Sequence, residues 1–242
     1  MAGHSRWAQV KHKKAGTDAK RSALFSKLSR LITIAGREGA PDPATNAKLR
    51  TAMEQAQDAG LPKENIERAV SRARGTLDKD TLVSRKYEAY GPGGSAYLIH
   101  AITDNANRTA SEMRAVLSKF GGKLAGAGSV AWMFERRALI TLPLPDAEAR
   151  DRITLILIDA GAVDIETDPD GLVALIPVES VESFQAAMAR HGLKTIGSAT
   201  AMISKTALAL TPEDLKRAEI LQDALEKHPD VTTVSTNIDF AS

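Results

Sequence analysis

The chain has 242 residues, 43% of them hydrophobic and 26% charged, which is enough for two or three domains with buried cores. It contains no cysteine, so disulfide bonds and thiolate metal sites are excluded. No segment approaches the roughly 18 consecutive apolar residues of a membrane span, and the polar start of the chain lacks the apolar core of a secretory signal. We therefore expect a cytoplasmic protein without a membrane partner.

The net charge of +2 is distributed unevenly along the chain. Residues 1–37 contain nine Lys or Arg and one acid, which gives this segment +8 and leaves −6 for residues 38–242. The nine basic residues are Arg6, Lys11, Lys13, Lys14, Lys20, Arg21, Lys27, Arg30 and Arg37. A basic end on an otherwise mildly acidic chain is typical of a protein that binds a polyanion such as a nucleic acid. The alternative interpretation is an ordinary solvated basic helix face.

In the first third of the chain the pattern predicts an extended arm and three helices. The arm covers residues 1–16, and the first helix begins near Thr17, a possible cap. The second helix has Asp42 as its predicted cap and ends at Gly60, and the third occupies residues 63–74. The apolar stripe of the first helix is Leu24, Leu28, Leu31 and Ala35. Short connections between the helices predict a small bundle.

The next segment changes to a strand pattern. Residues 83–90 and 95–103 are predicted strands, joined by a turn at Gly91-Pro92-Gly93-Gly94. Asn107 is the predicted cap of the helix that follows. Residues 129–134 are a predicted third strand.

From residue 138 onward the order of predicted elements is strand, helix, strand, strand, helix, strand. They occupy residues 138–142, 146–160, 162–167, 172–177, 179–191 and 195–203. This βαββαβ order is the ferredoxin-like split unit. A helix opened by Thr211-Pro212 and a strand at 231–237 follow. These two elements are too few to fold alone, so we expect them to rejoin the segment 82–134.

The predicted fold class is therefore α+β, with an N-terminal three-helix bundle, a discontinuous α/β domain and an inserted ferredoxin-like βαββαβ domain. The predicted boundaries are 1–78 for the basic helical domain, 79–135 plus 206–242 for the discontinuous domain, and 136–205 for the inserted domain.

Motifs of common enzymes are missing from the sequence. It has no Walker loop, no His-Glu-x-x-His and no Gly-x-Ser-x-Gly. Its five histidines are scattered without metal-ligand spacing. Gly126-Ala127-Gly128 is half of a dinucleotide fingerprint, but it precedes a predicted strand instead of opening a helix. We therefore expect no catalysis, no metal, no cofactor and no small-molecule substrate.

Two segments supply the candidate contacts to nucleic acid. The basic arm and first helix offer charges for phosphates, and Trp7 among them can stack on a base or pin the arm to the bundle. In the segment 103–109, Asn105 and Arg108 are placed to face a phosphate or a base, and we expect Arg108→Ala to leave stability nearly unchanged. The candidate residues are Arg6, Trp7, Lys11, His12, Lys13, Lys14, Lys20, Arg21, Lys27, Arg30, Asn105 and Arg108.

A series of motifs runs in order through essentially the whole chain. They are Met1-Ala-Gly-His-Ser-Arg-Trp7, Lys11-His-Lys-Lys14, Asp18-Ala-Lys-Arg21, Leu61-Pro-Lys-Glu-Asn-Ile-Glu-Arg-Ala69, Tyr87-Glu-Ala-Tyr-Gly-Pro-Gly-Gly94, Thr103 to Thr109, Ser118-Lys-Phe-Gly-Gly122 and Gly128-Ser-Val-Ala-Trp-Met-Phe-Glu135. In these motifs the sequence resembles the YebC family.

The resemblance implies a three-domain cytoplasmic protein with a helical N-terminal domain. It also implies a regulatory role, because the family is commonly described as transcriptional regulators that bind DNA. The family's mitochondrial relatives look like translational activators for a cytochrome oxidase subunit, and some bacterial members have been tied to ribosomes. Since the first motif begins at Met1 without a presequence, we expect a bacterial member.

Two partners stay open at this point, ribosomal RNA and promoter DNA, since both expose the same phosphates. A basic arm, a helical bundle and a ferredoxin-like module suit a structured RNA surface that is recognised by shape, so we favour a ribosome-associated translation factor. A DNA-binding transcriptional regulator is the alternative. Its weakness is the third helix, where Glu64 and Glu67 dilute the face formed by Arg68 and Arg72. An enzyme with an unrecognised site is the third and least favoured hypothesis.

Overall fold

The computed structural model describes residues 18–75, 82–168 and 171–240, with the backbone alone at residues 18–20 and 168. The helices in this part of the chain are α1 (Asp18–Glu38), α2 (Ala47–Asp58), α3 (Lys63–Ala73), α4 (Ala106–Lys119), α5 (Ala147–Asp159), α6 (Val181–Arg190) and α7 (Pro212–Lys227). The strands are β1 (Val83–Tyr90), β2 (Ala96–Thr103), β3 (Lys123–Ala125), β4 (Phe134–Leu142), β5 (Asp164–Asp168), β6 (Gly171–Pro177), β7 (Gly197–Ser204) and β8 (Val231–Thr236). None of these helices has the length and apolar character to cross a membrane. The predicted α+β class with an N-terminal helical bundle is confirmed.

Helices α1, α2 and α3 share one apolar core. Its buried members are Leu28, Ile32, Ala35, Leu49, Ala52, Ala56, Leu61, Ile66, Ala69 and Val70. Helices α1 and α3 approach closely at Gly36, where an added Cβ atom would lie 2.6 Å from the Cβ atom of Ala73. The hydroxyl of Thr33 also donates a hydrogen bond to the carbonyl of Ala69, at 3.2 Å. This close pair of helices forms the walls of the candidate site described below.

The cap of α2 differs from the predicted one. Asn46 precedes the helix with an extended backbone, and its side-chain oxygen accepts a hydrogen bond from the amide of Leu49. Its side-chain nitrogen donates to the carbonyls of Ala35 and Ala40, both at 2.8 Å. The predicted cap, Asp42, instead closes a turn that precedes the helix. Two turn-forming segments lie in a row here, and the sequence pattern does not show which one starts the helix.

The first sheet has the strand order β3-β1-β2-β8. Strands β1 and β2 pair antiparallel along their full length through the predicted glycine turn, in which Gly93 and Gly94 have positive φ angles. Tyr97 of β2 is fully buried and donates a hydrogen bond to the carbonyl of Ala218 in α7, at 3.4 Å. The last helix and strand therefore join the sheet that precedes the βαββαβ unit in sequence.

Two elements near the end of this segment were predicted wrongly. Residues 129–134 do not form a strand, because Ala131–Met133 is a 3-10 turn and β4 begins only at Phe134. The short edge strand β3 was missed. It pairs antiparallel with β1 over three residues, too few to produce a recognisable alternation of apolar and polar side chains.

The second sheet has the strand order β5-β6-β4-β7, and each neighbouring pair is antiparallel. With the chain order βαββαβ, this is the ferredoxin-like arrangement. Helices α5 and α6 cover one face of the sheet and bury a core against it. The core members are Ala138, Ile140, Leu142, Ile153, Leu157, Leu172, Ala174, Ile176, Phe184, Ala187 and Met188.

Backbone contacts divide the chain into two compact units. One comprises the described residues of Lys13–Ser129 together with Pro212–Val234, and the other comprises those of Val130–Thr211 and Ser235–Ser242. The first unit thus contains both the helical bundle and most of the first sheet. The division into three domains at the boundaries given above stays a prediction.

The cap of α4 yields a stability test, because the predicted cap is wrong here too. Asn105 caps α4, and its side-chain oxygen accepts a hydrogen bond from the amide of Arg108 at 3.0 Å, whereas Asn107 lies exposed inside the first turn. We expect Asn105→Ala to lower the free energy of unfolding by about 1 kcal/mol. The matched control, Asn107→Ala, should leave it unchanged within about 0.5 kcal/mol. Urea unfolding followed by circular dichroism measures both. Equal losses from the two variants would contradict this assignment.

Candidate nucleic-acid interface

Half of the predicted contact residues lie outside the described residues. These are Arg6, Trp7, Lys11, His12, Lys13 and Lys14. Lys20 lies in α1, but its side chain is not described. The remaining five fall on two places in the first unit: Arg21, Lys27 and Arg30 on α1, and Asn105 and Arg108 at the start of α4.

An open groove of about 550 Å³ runs between α1 and α3. Its lining residues are Arg21, Ser22, Phe25, Ser26, Ser29, Arg30, Asn65, Arg68, Ala69 and Arg72. Four are arginines and none is acidic, so the groove carries a concentrated positive charge. Each guanidinium has five N–H donors in a planar fork that matches a phosphate, so this lining suits a polyanion.

Three groove residues on α3 were missing from the candidates: Asn65, Arg68 and Arg72. They repeat at intervals of three and four residues, so they share one stripe of the helix. The acids that weakened the sequence argument, Glu64 and Glu67, are not among the lining residues. The sequence signal for this site was the spacing of Asn65, Arg68 and Arg72, which places them on a face of α3 apart from Glu64 and Glu67.

Two of the predicted contact residues on α1 are already engaged within the protein. The ammonium group of Lys27 donates a hydrogen bond to the carbonyl of Glu226, at 2.5 Å, and Arg30 donates to the carbonyl of Pro229, at 3.3 Å. Burial lowers the pKa of Lys27, an effect that the Glu226 carboxylate partly offsets. Glu226 lies in the last turn of α7, where carbonyls lack intrahelical partners and attract cations. These contacts attach α1 to the end of α7.

Asp230 is the buried centre of this attachment. Its side chain is 2% exposed, and it accepts hydrogen bonds from Arg30 at 2.6 Å, Arg108 at 3.0 Å and the hydroxyl of Thr109 at 2.8 Å. Burial by itself raises the pKa of Asp230, but hydrogen bonds from the surrounding hydroxyls and guanidinium groups outweigh burial and lower the pKa. The carboxylate is therefore held in its charged form, joining α1 and α4 to the start of β8.

The two candidates on α4 have structural partners in this network. Asn105 caps the helix, and Arg108 contacts Asp104 at 2.8 Å as well as Asp230. These two carboxylates raise the pKa of Arg108 through their hydrogen bonds. The expectation that Arg108→Ala leaves stability unchanged rested on an unpartnered surface side chain, and this geometry argues against it. A contact between these residues and nucleic acid stays a prediction.

Glu112, His228 and Asp230 are the one group among the described residues whose donor atoms lie close enough to hold a metal, within 4.8 Å of one another. Their atoms are already bonded to protein groups. His228 accepts a hydrogen bond from the amide of Asp230 through Nδ1 and contacts Glu112 through Nε2 at 2.8 Å. With Asp230 also bound to two guanidinium groups, the structure shows this cluster as part of an ion-pair network.

The charge state of Asp230 yields a pH prediction. Because its pKa is lower in the folded than in the unfolded chain, its contribution to stability is complete above the ordinary Asp pKa of 3.8 and is lost as the pH falls below that value. We expect Asp230→Asn to lower the free energy of unfolding at pH 7 by about 1.5–3 kcal/mol. The loss should shrink in acid, below pH 3.8.

The exposed Asp151 on α5 supplies the control. Asp151→Asn should change neither the free energy of unfolding at pH 7 nor its dependence on pH. Urea unfolding from pH 7 down to pH 3 measures both variants. A deficit in Asp230→Asn that stays constant over this range would contradict the buried ion-pair network.

Comparison with known proteins gives full-length matches. Residues 5–76 match the family model described as the TACO1/YebC protein N-terminal domain, and residues 82–238 match that of the TACO1/YebC second and third domain. A protein of Petrotoga mobilis named "Probable transcriptional regulatory protein" is 45% identical over 90% of this chain and 86% of its own. A protein of the same name from Fervidobacterium nodosum is 43% identical over 99% of this chain and 94% of its own.

A solved structure agrees with these matches. The crystal structure of a conserved hypothetical protein from Aquifex aeolicus superimposes with a TM-score of 0.83 at 36% identity, covering 98% of both chains. Two adjacent family models together account for most of the sequence, and the relatives align from end to end. The chain therefore belongs to the TACO1/YebC family.

Proposed function

We propose that this protein is a non-enzymatic, cytoplasmic regulator of gene expression that binds nucleic acid and acts on folded RNA of the ribosome as a translation factor. The observation that carries the proposal is the groove between α1 and α3, lined by four arginines and no acid. Arginine contacts to phosphates give strong, salt-dependent affinity with little sequence preference.

The shape of this surface favours RNA over a promoter duplex. Sequence-specific DNA readers insert a protruding helix into the major groove, which is about 12 Å wide. The charged surface here is the opposite, because its arginines line a concave groove between two helices. A concave basic site suits a strand, loop or bulge that protrudes from a folded RNA.

A DNA-binding transcriptional regulator is the second candidate. The names of the relatives favour it, since they are called probable transcriptional regulatory proteins. The same names, together with the missing catalytic motifs, support a regulator that is not an enzyme. The two candidates share phosphate binding and differ in whether a duplex of defined sequence is the physiological partner.

The salt dependence of binding tests the groove. Each lost phosphate contact should reduce the slope of log affinity against log salt by about 0.7 on single strands and about 0.9 on duplexes. Arg68→Ala with Arg72→Ala should therefore flatten the slope by about 1.4 on single strands. The slope should flatten further when three lysines of segment 1–16 are also changed to Ala, namely Lys11, Lys13 and Lys14.

The matched control removes two exposed arginines of the other unit, Arg152 and Arg190, and should leave the slope unchanged. Fluorescence anisotropy over a salt series gives each slope. If the control flattens the slope as much as the groove variant does, binding depends on the total positive charge of the protein and not on its position. The groove is then not the interface.

A competition experiment separates the two candidate functions. Labelled duplex from a candidate promoter is bound by the full-length protein and then challenged with excess random duplex or with excess ribosomes. We expect both competitors to displace the promoter, because specific readers of duplex DNA exceed nonspecific binding by about 10³-fold or more and a concave groove has no helix that enters the major groove. Promoter binding that survives both competitors would establish the transcriptional candidate instead.

A further inference from the structure

The dimensions of the groove limit what can enter it. Packed helix axes lie typically about 8–10 Å apart, so a groove between two packed helices is too shallow and narrow to enclose a nucleic-acid duplex. Along α1 the lining runs from Arg21 to Arg30, about 13 Å at about 1.5 Å per residue. At about 3.4 Å per stacked nucleotide, this length accommodates three or four nucleotides of one strand.

Two of the three serine hydroxyls that line the groove, those of Ser26 and Ser29, donate their hydrogen bonds back into α1. Ser26 donates its hydrogen bond to the carbonyl of Ser22, at 3.1 Å, and Ser29 donates to the carbonyl of Phe25, at 2.9 Å. A hydroxyl has one proton, so these two oxygens have only lone pairs left for a ligand. Lone pairs repel phosphate oxygens and accept hydrogen bonds from the N–H groups of a nucleobase. These two oxygens therefore suit the N–H groups of a base better than a phosphate.

An aromatic ring and a side-chain amide also line the groove. The half-buried ring of Phe25 packs against the bundle core, and the guanidinium carbon of Arg21 lies 5.5 Å from its centroid. Aromatic rings and guanidinium planes are the surfaces on which proteins stack unpaired bases. Across the groove on α3, the side-chain amide of Asn65 lines the groove and has both donors and an acceptor for hydrogen bonds.

From these features we infer that the groove binds unpaired nucleotides, in a single strand, a loop or a bulge, and that it holds their bases as well as their phosphates. Arg68 and Arg72 contact the backbone, a base stacks on the surface formed by the Arg21 guanidinium and the Phe25 ring beneath it, and the serine oxygens and Asn65 meet base edges. The inference rests on the proposed function and specifies the form of nucleic acid that the same groove takes.

The test compares strands that share phosphates and differ in bases. Full-length protein is titrated into four labelled probes of equal length: oligouridine RNA, oligothymidine DNA, an abasic DNA strand and a DNA duplex. We expect both base-bearing strands to bind more tightly than the abasic strand and the duplex at equal salt. A difference between the RNA and DNA strands then measures how far the groove uses the 2′-hydroxyl.

A variant isolates the stacking contribution. Phe25→Leu keeps an apolar side chain for the bundle core but removes the aromatic face, and thermal unfolding verifies that the bundle is intact. It should weaken binding of the base-bearing strands by between about 5-fold and 150-fold, the range that one stacked base supplies. The abasic strand, which has nothing to stack, should bind both proteins equally.

The outcomes separate this inference from the function on which it rests. Equal affinity for the base-bearing and abasic strands, or a duplex that binds as tightly as a single strand, overturns the inference and leaves a phosphate-binding regulator. If the double variant Arg68→Ala with Arg72→Ala binds all four probes as tightly as the unchanged protein, the groove is not the interface. That result overturns both the inference and the proposed function.

Discussion

The first unit depends on one buried carboxylate, that of Asp230. Moving such a charge out of water costs several kcal/mol, and the cost is offset only when charged donors surround the carboxylate. Here Arg30 approaches from α1 and Arg108 with Thr109 from α4. The ion pair with Arg30 joins positions 200 residues apart in sequence. Removing any partner leaves the carboxylate poorly compensated, so the bundle and the sheet are held together by a contact that tolerates little change in geometry.

The same contact fixes the candidate site. Arg30 lines the groove and also binds Asp230, so the position of α1 relative to the end of α7 determines where that wall of the groove lies. Lys27 acts in the same way through the carbonyl of Glu226. The positive charges of α1 therefore serve two purposes: Lys27 and Arg30 hold the helix in place, and Arg21 faces the groove together with Arg68 and Arg72 of α3.

Most of the fold was predictable because its signals are local. Glycine turns, apolar periodicity and the βαββαβ order located the main helices and strands, while the two wrong helix caps fell where two polar residues compete for one role. Asn46 and Asp42 both suit a helix start, as do Asn105 and Asn107, and only the backbone geometry distinguishes them. The site was less predictable. Its walls come from two helices separated in sequence, and the partners of Lys27, Arg30 and Arg108 lie more than a hundred residues away.

The distribution of charge and shape suggests how affinity and selectivity are divided. On the proposed function, the basic residues of segment 1–16 would supply affinity that is screened by salt and carries no information about sequence or structure. Stacking on Phe25 and hydrogen bonds inside the groove are short-range contacts that salt weakens much less. At physiological salt the groove therefore contributes a larger share of the total binding energy than it does in dilute buffer. On this proposal the groove selects the target, whereas segment 1–16 would raise the rate and strength of encounter with any nucleic acid.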